Sequence, residues 1–381
     1  MGKTKKLLIC SVCIIGVGLI LAVAGFSMGG KFGIIKNNAG YKILDKEEGI
    51  VKAEESSAFT SIEINSTVDK IDIIKSYKYG IEMEYSSNQN DVDYSIKDGK
   101  LVIQENKLQD AFNNISFGIG NTHIPSYIKV YIPGDVDLDT INVKSSNTNF
   151  TMNSINVNEI FLNCNYGNLN ISDLQGKKIK IDSNNNKINI NNINTNELIV
   201  KNNYGKIDAG NIVTDELKLD MKNGDVNIDN IKANNNTIFQ NLYGNIEIRN
   251  SEFNVLSNYM NNGRFEMANV KLDSATIDNK YGKIKSNKLI SNGLKIESNN
   301  SEIDLDGEFK GDTSILAHYG NIKLKTNTSK ELYNYSASCD YGNIKIDGDK
   351  FEKSIEKKSS NNEQNNIDIV SKNGNITVDF K

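Results

Sequence analysis

The chain has 381 residues and carries 44 Lys and Arg against 48 Asp and Glu, a formal net charge of −4. This length suits two or three ordinary domains or one elongated repeat domain. Both signs of charge are interspersed along the chain, so no basic face is offered to nucleic acid, and we predict no nucleic-acid partner. Trp is absent, and His and Pro occur twice each.

The N-terminus predicts one membrane-spanning helix. Residues 1–6 form a short basic start, and Leu7 to Phe26 contain no charge. An apolar run of about 20 residues can cross a bilayer, and the lysines before it predict a cytoplasmic N-terminus with the bulk of the chain outside. The small residues up to Ala24 also fit a cleaved signal peptide, after which the chain would be secreted. Both alternatives export the body of the protein.

The body repeats with a period of about 19 residues. Six Tyr-Gly pairs are each followed by a short alternating strand, and between most of them Asn replaces the Tyr. From 147 to 319 the bend residue alternates strictly between Asn and Tyr. The bend residues are evenly spaced, except that one interval is longer by one residue, and the spacing becomes irregular after 319. The alternating positions are Asn147, Tyr166, Asn185, Tyr204, Asn223, Tyr243, Asn262, Tyr281, Asn300 and Tyr319, and the later pairs begin at Tyr341 and Asn373.

Each unit reads as two short strands and two bends. In Leu198 to Ala209, alternate residues are apolar, Gly205 resets the register, and the alternation resumes. Period-2 alternation is typical of a strand with one buried face, and Gly suits a bend that needs positive φ. The pattern predicts an all-β, single-stranded parallel β-helix (a β-solenoid), rather than a β-sandwich. About 11 to 12 units would give a rod of roughly 50–60 Å.

The alternation of Tyr and Asn leaves two geometries open. In the first, one turn is a single repeat of about 19 residues, and the Tyr rings occupy every second coil, where they have more room. In the second, one turn spans two repeats, about 38 residues, and places Tyr and Asn on different sides.

An inward column two positions before each bend stays small or polar in most units. Stacked Asn amides can hydrogen-bond along such a column, as in cross-β ladders. Cys164 and Cys339 share the column and lie too far apart for a disulfide, so we interpret both as structural thiols. The column contains Ser145, Cys164, Ser183, Asn202, Asn241, Asn279, Ser298, Ala317, Cys339 and Ser371.

The flanking segments complete the predicted organisation. Residues 27–58 are expected to be a tether, and the strand-like segments of 59–135 an N-terminal β cap whose alternation is out of register with the repeat. The regular solenoid is assigned to 136–347. Residues 348–366 fit a polar loop insertion, and 367–381 the last β unit.

The membrane-spanning start, the Tyr-Gly-Asn-Ile-x-Ile units and the strand Ile128 to Pro133 resemble a bacterial putative-adhesin family of β-strand-repeat proteins, a domain of unknown function. The resemblance covers roughly residues 59–381. It implies a cell-surface or cell-envelope role, and some members with similar repeats are linked to the envelope stress response of Gram-positive bacteria. It transfers no catalytic residue.

No catalytic, cofactor-binding or metal-binding residue is predicted. Outward carboxylates recur along the solenoid without a cluster, His123 and His318 have no partners at ligand spacing, and the calcium nonapeptide is absent, although calcium binding stays open. We expect a non-catalytic, monomeric surface scaffold that is adhesin-like or related to envelope stress. Its partners would be the membrane, through Leu7 to Phe26, and a cell-wall polymer or another surface protein. The alternative is a polysaccharide lyase or hydrolase on a β-helix. The carboxylates considered were Asp182, Asp208, Asp220, Asp225, Asp229 and Glu247.

Overall fold

The computed structural model describes residues 2–28, 33–37, 40–43, 49–86, 91–106, 115–118, 125–359 and 365–381. One α-helix precedes a body made of strands. The elements as far as residue 153 are α1 (Lys3–Ser27), β1 (Gly33–Asn37), β2 (Gly40–Ile43), β3 (Gly49–Glu55), β4 (Ser61–Ser66), β5 (Lys70–Ser76), β6 (Gly80–Ser86), β7 (Asp91–Lys97), β8 (Lys100–Asn106), β9 (Ile115–Gly118), β10 (Tyr127–Pro133), β11 (Asp137–Ser146) and β12 (Asn149–Asn153). The remaining elements are β13 (Asn156–Tyr243), β14 (Ile246–Tyr319), β15 (Ile322–Thr326), the 3₁₀ turn η1 (Lys330–Leu332), β16 (Tyr333–Tyr341), β17 (Ile344–Ile346), β18 (Asp349–Phe351), β19 (Ser354–Lys357), β20 (Asn365–Asn373) and β21 (Ile376–Asp379).

Helix α1 is long and apolar enough to span a membrane. Its 25 residues extend about 37 Å at the rise of an α-helix. The window Leu8–Gly25 has a mean hydropathy of 2.7, and none of it is buried against the rest of the chain. A membrane anchor and a signal sequence both fit these properties.

The body is a parallel β-solenoid in which one turn is a single sequence repeat, the first of the two predicted geometries. Strands β13 and β14 run through several coils, and parallel partners lie one repeat apart, for example Ser145 with Cys164 and Ile303 with Ile322. The step is longer by one residue where Val226 pairs with Ile246. The structure therefore excludes a turn of two repeats, so Tyr and Asn bends share one edge.

A continuous apolar core runs through the coils because the inward positions of each strand are Ile, Leu, Val, Phe or Met. The core extends from Phe59 to Val378. Burying one such side chain contributes about 1.5–3 kcal/mol, and each coil buries its inner face only against its neighbours. Phe239 and Phe253 pack edge to face with ring centroids 5.7 Å apart.

At the N-terminal end, the order of coils differs from the order of the chain. Strands β4 and β5 pair in parallel with β11 and β12 on one side, and with β8 and β10 on the other. The coil of β4 and β5 therefore lies between the outermost coil, β8 with β10, and the coil that follows in sequence. Antiparallel strands β7 and β6 pair with the outermost coil, and β3 pairs with β6.

The C-terminal end repeats this arrangement in mirror order. Strands β20 and β21, the last in the chain, pair in parallel with β14 and β15 on one side and with β16 and β17 on the other. The last unit of the chain is thus the penultimate coil of the rod. Antiparallel strands β19 and β18 cover the outermost coil.

Three expectations about the flanking segments need correction. Part of the predicted cap, β4 and β5, is in register with the repeat, because parallel pairing joins Ser61 to Thr140 and Lys70 to Asn149. The predicted tether contains β1 and β2, which form a sheet with β9, and β3, which joins the cap. The predicted polar loop contains β18 and β19, so it closes the C-terminal end.

Candidate binding surfaces

We call the stacked first bends of the coils the Tyr edge. In each coil it consists of the alternating Tyr or Asn residue, the residue before it and the two residues after it. Asn147, Tyr166 and Asn185 adopt positive φ of 56–59°. In later coils the positive φ is adopted by the Gly that follows the bend residue, for example Gly224 with a φ of 142°. A Cβ on Gly224 would lie 1.9 Å from the carbonyl oxygen of Gly205 in the adjacent coil, so only Gly fits there.

The Tyr side chains of this edge are about half exposed. Relative exposure is 46–54% in five coils and 75% in the outermost one. The residues are Tyr166, Tyr204, Tyr243, Tyr281, Tyr319 and Tyr341.

Along the stack, the alternation of Tyr and Asn continues into the C-terminal coils, which are out of chain order. A Cβ on Gly374 would meet the backbone of Gly320, and one on Gly342 would meet Gly374. Tyr319 and Tyr341 each pair with Asn373, which lies between them. The order along the rod is therefore Tyr, Asn, Tyr, although the chain places the second Tyr before the Asn.

The Tyr edge carries an excess of positive charge, whereas the faces on either side do not. The position before the bend and the position two after it hold seven cations and three carboxylates. The cations are Lys187, Lys206, Lys222, Arg264, Lys280, Lys283 and Lys372, and the carboxylates are Asp225, Glu302 and Asp340. The outward column three residues before the bend holds four carboxylates and two lysines. The outward column four residues after the bend holds four carboxylates and three lysines.

A second bend forms a ladder of amides, the Asn ladder, which the sequence analysis missed. Its residues adopt positive φ of 49–56°, a conformation that Asn tolerates better than most residues. The Nδ2 of Asn230 donates to Oδ1 of Asn211 at 2.7 Å, and that of Asn269 to Oδ1 of Asn250 at 2.8 Å. Their spacing of one repeat, just before the closing apolar residue in four of the five coils, was the available signal. The Asn ladder comprises Asn192, Asn211, Asn230, Asn250 and Asn269. Its members are not bonded in one continuous chain, because Asn192, Asn211 and Asn250 donate to Asp173, Asn191 and Asp229 instead.

Three of the six outward carboxylates that the sequence singled out accept hydrogen bonds from Asn side chains one coil away. Asp208 accepts from Nδ2 of Asn227 at 2.7 Å and pairs with Lys206, Asp225 accepts from Asn245, and Glu247 pairs with Arg249. A shallow groove of about 300 Å³ brings Asp208 and Asp229 together with Arg249. Asp229 already accepts from Nδ2 of Asn250 at 2.8 Å. The groove thus holds two of the six carboxylates that the sequence singled out. Asp182 and Asp220 lie on the column three before the bend, outside this groove.

The interior polar column does not form the continuous amide stack that the sequence suggested. Met221 and Met260 occupy the same column and separate Asn202, Asn241 and Asn279. Asn202 and Asn241 instead donate to backbone carbonyls of the Tyr edge, at 2.8 and 2.9 Å. The buried amides therefore support the first bend.

Both cysteines of the interior column are free and buried. Burial raises the pKa of the Cys164 thiol to about 11, which keeps it protonated and unreactive at neutral pH. Cys339 donates to the carbonyl oxygen of Gly374 at 3.0 Å. These contacts agree with a structural role.

One polar cluster joins the N-terminal cap to the rod. The carboxylate of Glu82 accepts from Tyr127 at 2.7 Å, Lys129 at 2.9 Å and Tyr131 at 2.8 Å. The hydrogen bonds from Lys129 and then from the two tyrosines lower the pKa of Glu82 to about 2. The cluster links β6 to β10 and makes ionised Glu82 part of the cap.

Within the described residues, no group of three or more His, Cys, Asp and Glu side chains could hold a metal ion. His318 is half-buried at the position before Tyr319 on the Tyr edge. His123 lies outside the described residues.

The sequence of the body matches one protein family over nearly its whole length. The family model described as Toastrack DUF4097 matches residues 59–252 and 233–379. The chain is a member of this family. The Toastrack match begins at the buried Phe59 and ends at β21, so it includes both ends of the rod as well as its middle.

Three solved structures are similar to this Toastrack protein over most of its chain. A putative adhesin from Bacteroides fragilis is 11% identical, with 88% of this chain and 97% of that chain covered and a TM-score of 0.24. A putative adhesin from Parabacteroides merdae is 13% identical, with 88% and 96% covered and a TM-score of 0.26. A putative lipid binding protein from Parabacteroides distasonis is 10% identical, with 87% and 96% covered and a TM-score of 0.29. No curated protein matches the chain.

Proposed function

We propose that this Toastrack protein is a non-catalytic binding scaffold held by α1 at the outer side of the cell membrane. The rod would present its edges to a cell-wall polymer or to another surface protein. An adhesin-like role and a role in the envelope stress response are both forms of this function.

The observation that carries the proposal is the regular pairing of outward polar groups between coils. Carboxylates such as Asp208 and Asp225 bind amides one coil away, at the spacing of the stack. Hydrolysis of a glycoside requires two carboxylates that flank one bond, with one of them protonated. A surface that repeats every coil favours extended binding over chemistry at one point.

The candidate site for the alternative enzyme is the groove that contains Asp208 and Asp229, two of the carboxylates that the sequence singled out. Purified full-length protein in detergent should leave cell-wall glycan and acidic polysaccharides intact, as measured by reducing-end release. Turnover that disappears in Asp208→Asn or Asp229→Asn, but not in the control Asp225→Asn, would overturn the non-catalytic proposal.

Binding is tested with the full-length chain in nanodiscs and isolated cell-wall sacculi. We expect the protein to cosediment with sacculi, and empty nanodiscs to stay in the supernatant. If the protein binds neither sacculi nor any other surface protein, the scaffold role is contradicted. Depletion in cells then separates its two forms, because loss of attachment indicates an adhesin and sensitivity to envelope-active agents indicates a stress role.

The anchor is tested by the mass of the chain recovered from membranes. We expect intact mass that includes α1, and protease added outside cells should degrade the body. A mature form that begins just after Ala24, recovered from the medium, would show secretion instead.

A further inference from the structure

We propose that the Tyr edge binds an extended, acidic, β-1,4-linked glycan lengthwise, with one two-sugar unit for every two coils. This inference rests on the proposed function and names the edge and the polymer that the scaffold would use. The chemistry sought is a linear glycan with a carboxylate on every second sugar.

The first argument is that stacking does not force the alternation of Tyr and Asn. Aromatic side chains can stack in consecutive layers of a parallel β structure, as they do in cross-β ladders. A Tyr in every coil is therefore sterically possible. The alternation also continues through Asn373, which enters the stack out of chain order between Tyr319 and Tyr341. It is thus a property of the finished surface, not of a tandemly copied pair of repeats.

The second argument is the spacing that the alternation produces. Two coils separate neighbouring Tyr side chains by about 9.6 Å. An extended β-1,4-linked glycan turns the same face outward at every second sugar, at a repeat close to this distance. Half-exposed Tyr rings can pack against the C–H faces of sugars while their hydroxyls stay hydrated. The intervening Asn amides can bond sugar hydroxyl and acetamido groups.

The third argument is charge. The Tyr edge holds seven cations against three carboxylates in a chain whose net charge is −4. Carboxylates are in excess on the columns at both sides of the edge. Lys222 and Lys280 are exposed directly beside the bend residues Asn223 and Tyr281. A polymer with regularly spaced carboxylates is complementary to this strip and not to the flanking faces.

The first test replaces the aromatic rings. Tyr204, Tyr243 and Tyr281 are changed together to Ala or together to Phe in the full-length chain, and Tyr259→Ala is the control. Tyr259 is 44% exposed but lies three residues before the bend column. The probe is the peptide-free glycan of alternating N-acetylglucosamine and N-acetylmuramic acid, eight sugars long. We expect the triple Ala variant to bind about tenfold more weakly, and the Phe variant and the control to stay within about threefold.

The second test addresses charge and spacing. The double variant Lys222→Gln with Lys280→Gln should bind the acidic glycan about threefold more weakly and show a flatter salt dependence. The control is Lys177→Gln with Lys310→Gln, two exposed lysines outside the Tyr edge, and it should match the wild type. A neutral chito-oligosaccharide of equal length and a flexible polyglutamate should both bind at least about fivefold more weakly than the acidic glycan.

The outcomes separate this inference from the proposed function. If sacculi retain the wild-type protein and the triple Ala variant equally, the scaffold survives and the Tyr edge is overturned as its binding surface. Equal binding of polyglutamate would overturn the role of spacing, and equal binding of the neutral glycan would overturn the role of charge. If neither protein binds sacculi, the glycan is overturned as the occupant of the Tyr edge, and the proposed function fails only if the wild type also binds no other surface protein. Concentration-dependent dimers that the triple Ala variant abolishes, without glycan binding, would show that a second copy occupies the edge.

Discussion

The coils stack in chain order in the middle of the rod and out of chain order at its two ends. In the middle, each coil stacks on the coil that precedes it in the chain, so residues one repeat apart become neighbours. At each end, a coil made at one point in the chain is inserted between coils made at others. The middle is therefore built from contacts of short and constant separation. The ends require parallel pairing between segments 32 to 79 residues apart, from Tyr333 with Asn365 at one end to Ser61 with Thr140 at the other.

The sharpest test of this comparison removes the inserted coil. In a chain that ends at Ser359, strand β16 loses its parallel partner β20, and β14 loses it as well. We expect residues 333–357 to become fully accessible to protease, while amides of 156–300 keep their hydrogen-exchange protection. Mass spectrometry of limited digests measures both regions. Full protection of 333–346 in the shortened chain would mean that the terminal unit lies outside that coil.

A substitution at a bend in the middle of the rod should destabilise the coils on both sides of it. Gly224→Ala places a Cβ 1.9 Å from the carbonyl oxygen of Gly205 at a φ of 142°. We expect a loss of about 3 kcal/mol in the local free energy of unfolding, measured by native-state hydrogen exchange. Gly293→Ala is the matched control, because the nearest atom to its Cβ would be 3.8 Å away. A similar loss in both variants would show that the bend is not the cause.

The N-terminal end should respond to acid before the middle does. The pKa of Glu82 is lowered in the folded state from 4.5 to about 2, so its stabilisation is complete above about pH 4.5 and is lost as pH falls towards 2. Glu82→Gln should destabilise the cap by about 1–2 kcal/mol at neutral pH and remove this acid transition. Hydrogen exchange of the backbone amides in β6 and β10, followed as a function of pH, measures both the loss of stability and the acid transition.

The control for the acid transition is Glu55→Gln. Glu55 forms an exposed ion pair with Lys78 at the same end, and such pairs contribute little to stability. Its cap should keep the wild-type pH dependence. An unchanged acid transition in Glu82→Gln would assign the transition to another group.

The smallest expected effect concerns the Asn ladder. Asn211→Ala removes hydrogen bonds to Asn191 and Asn230 and places Ala at a φ of 52°. We expect a loss of about 1 kcal/mol, and only a few tenths for Asn211→Gly, which relieves the strained conformation. Thermal unfolding measures the difference. Equal losses would indicate that the side-chain ladder matters more than the backbone geometry.

The sequence predicted the coil because each Tyr-Gly or Asn-Gly bend marks one turn and alternate Ile and Leu mark its buried face. It also predicted the structural role of Cys164. It did not reveal the insertion of β20 and β21, since parallel pairing over long separations leaves no period to count. The Asn ladder was not predicted, although its Asn residues recur at the spacing of the repeat, because no Gly marks the second bend. The alternating column of the Tyr edge was visible in the sequence, but the excess of cations beside it was not, because those residues are spread over the chain and become adjacent only when the coils stack.

The antiparallel strands at both ends have a consequence for how such rods can evolve. Among the described residues, β18 and β19 cover the outermost coil at one terminus and β6 and β7 cover it at the other, which hinders end-to-end stacking of coils between molecules. Duplication of a single coil would place two Tyr or two Asn in adjacent layers. Growth in steps of two coils would lengthen the rod and preserve its surface rhythm, so natural variants of different length should differ by even numbers of coils.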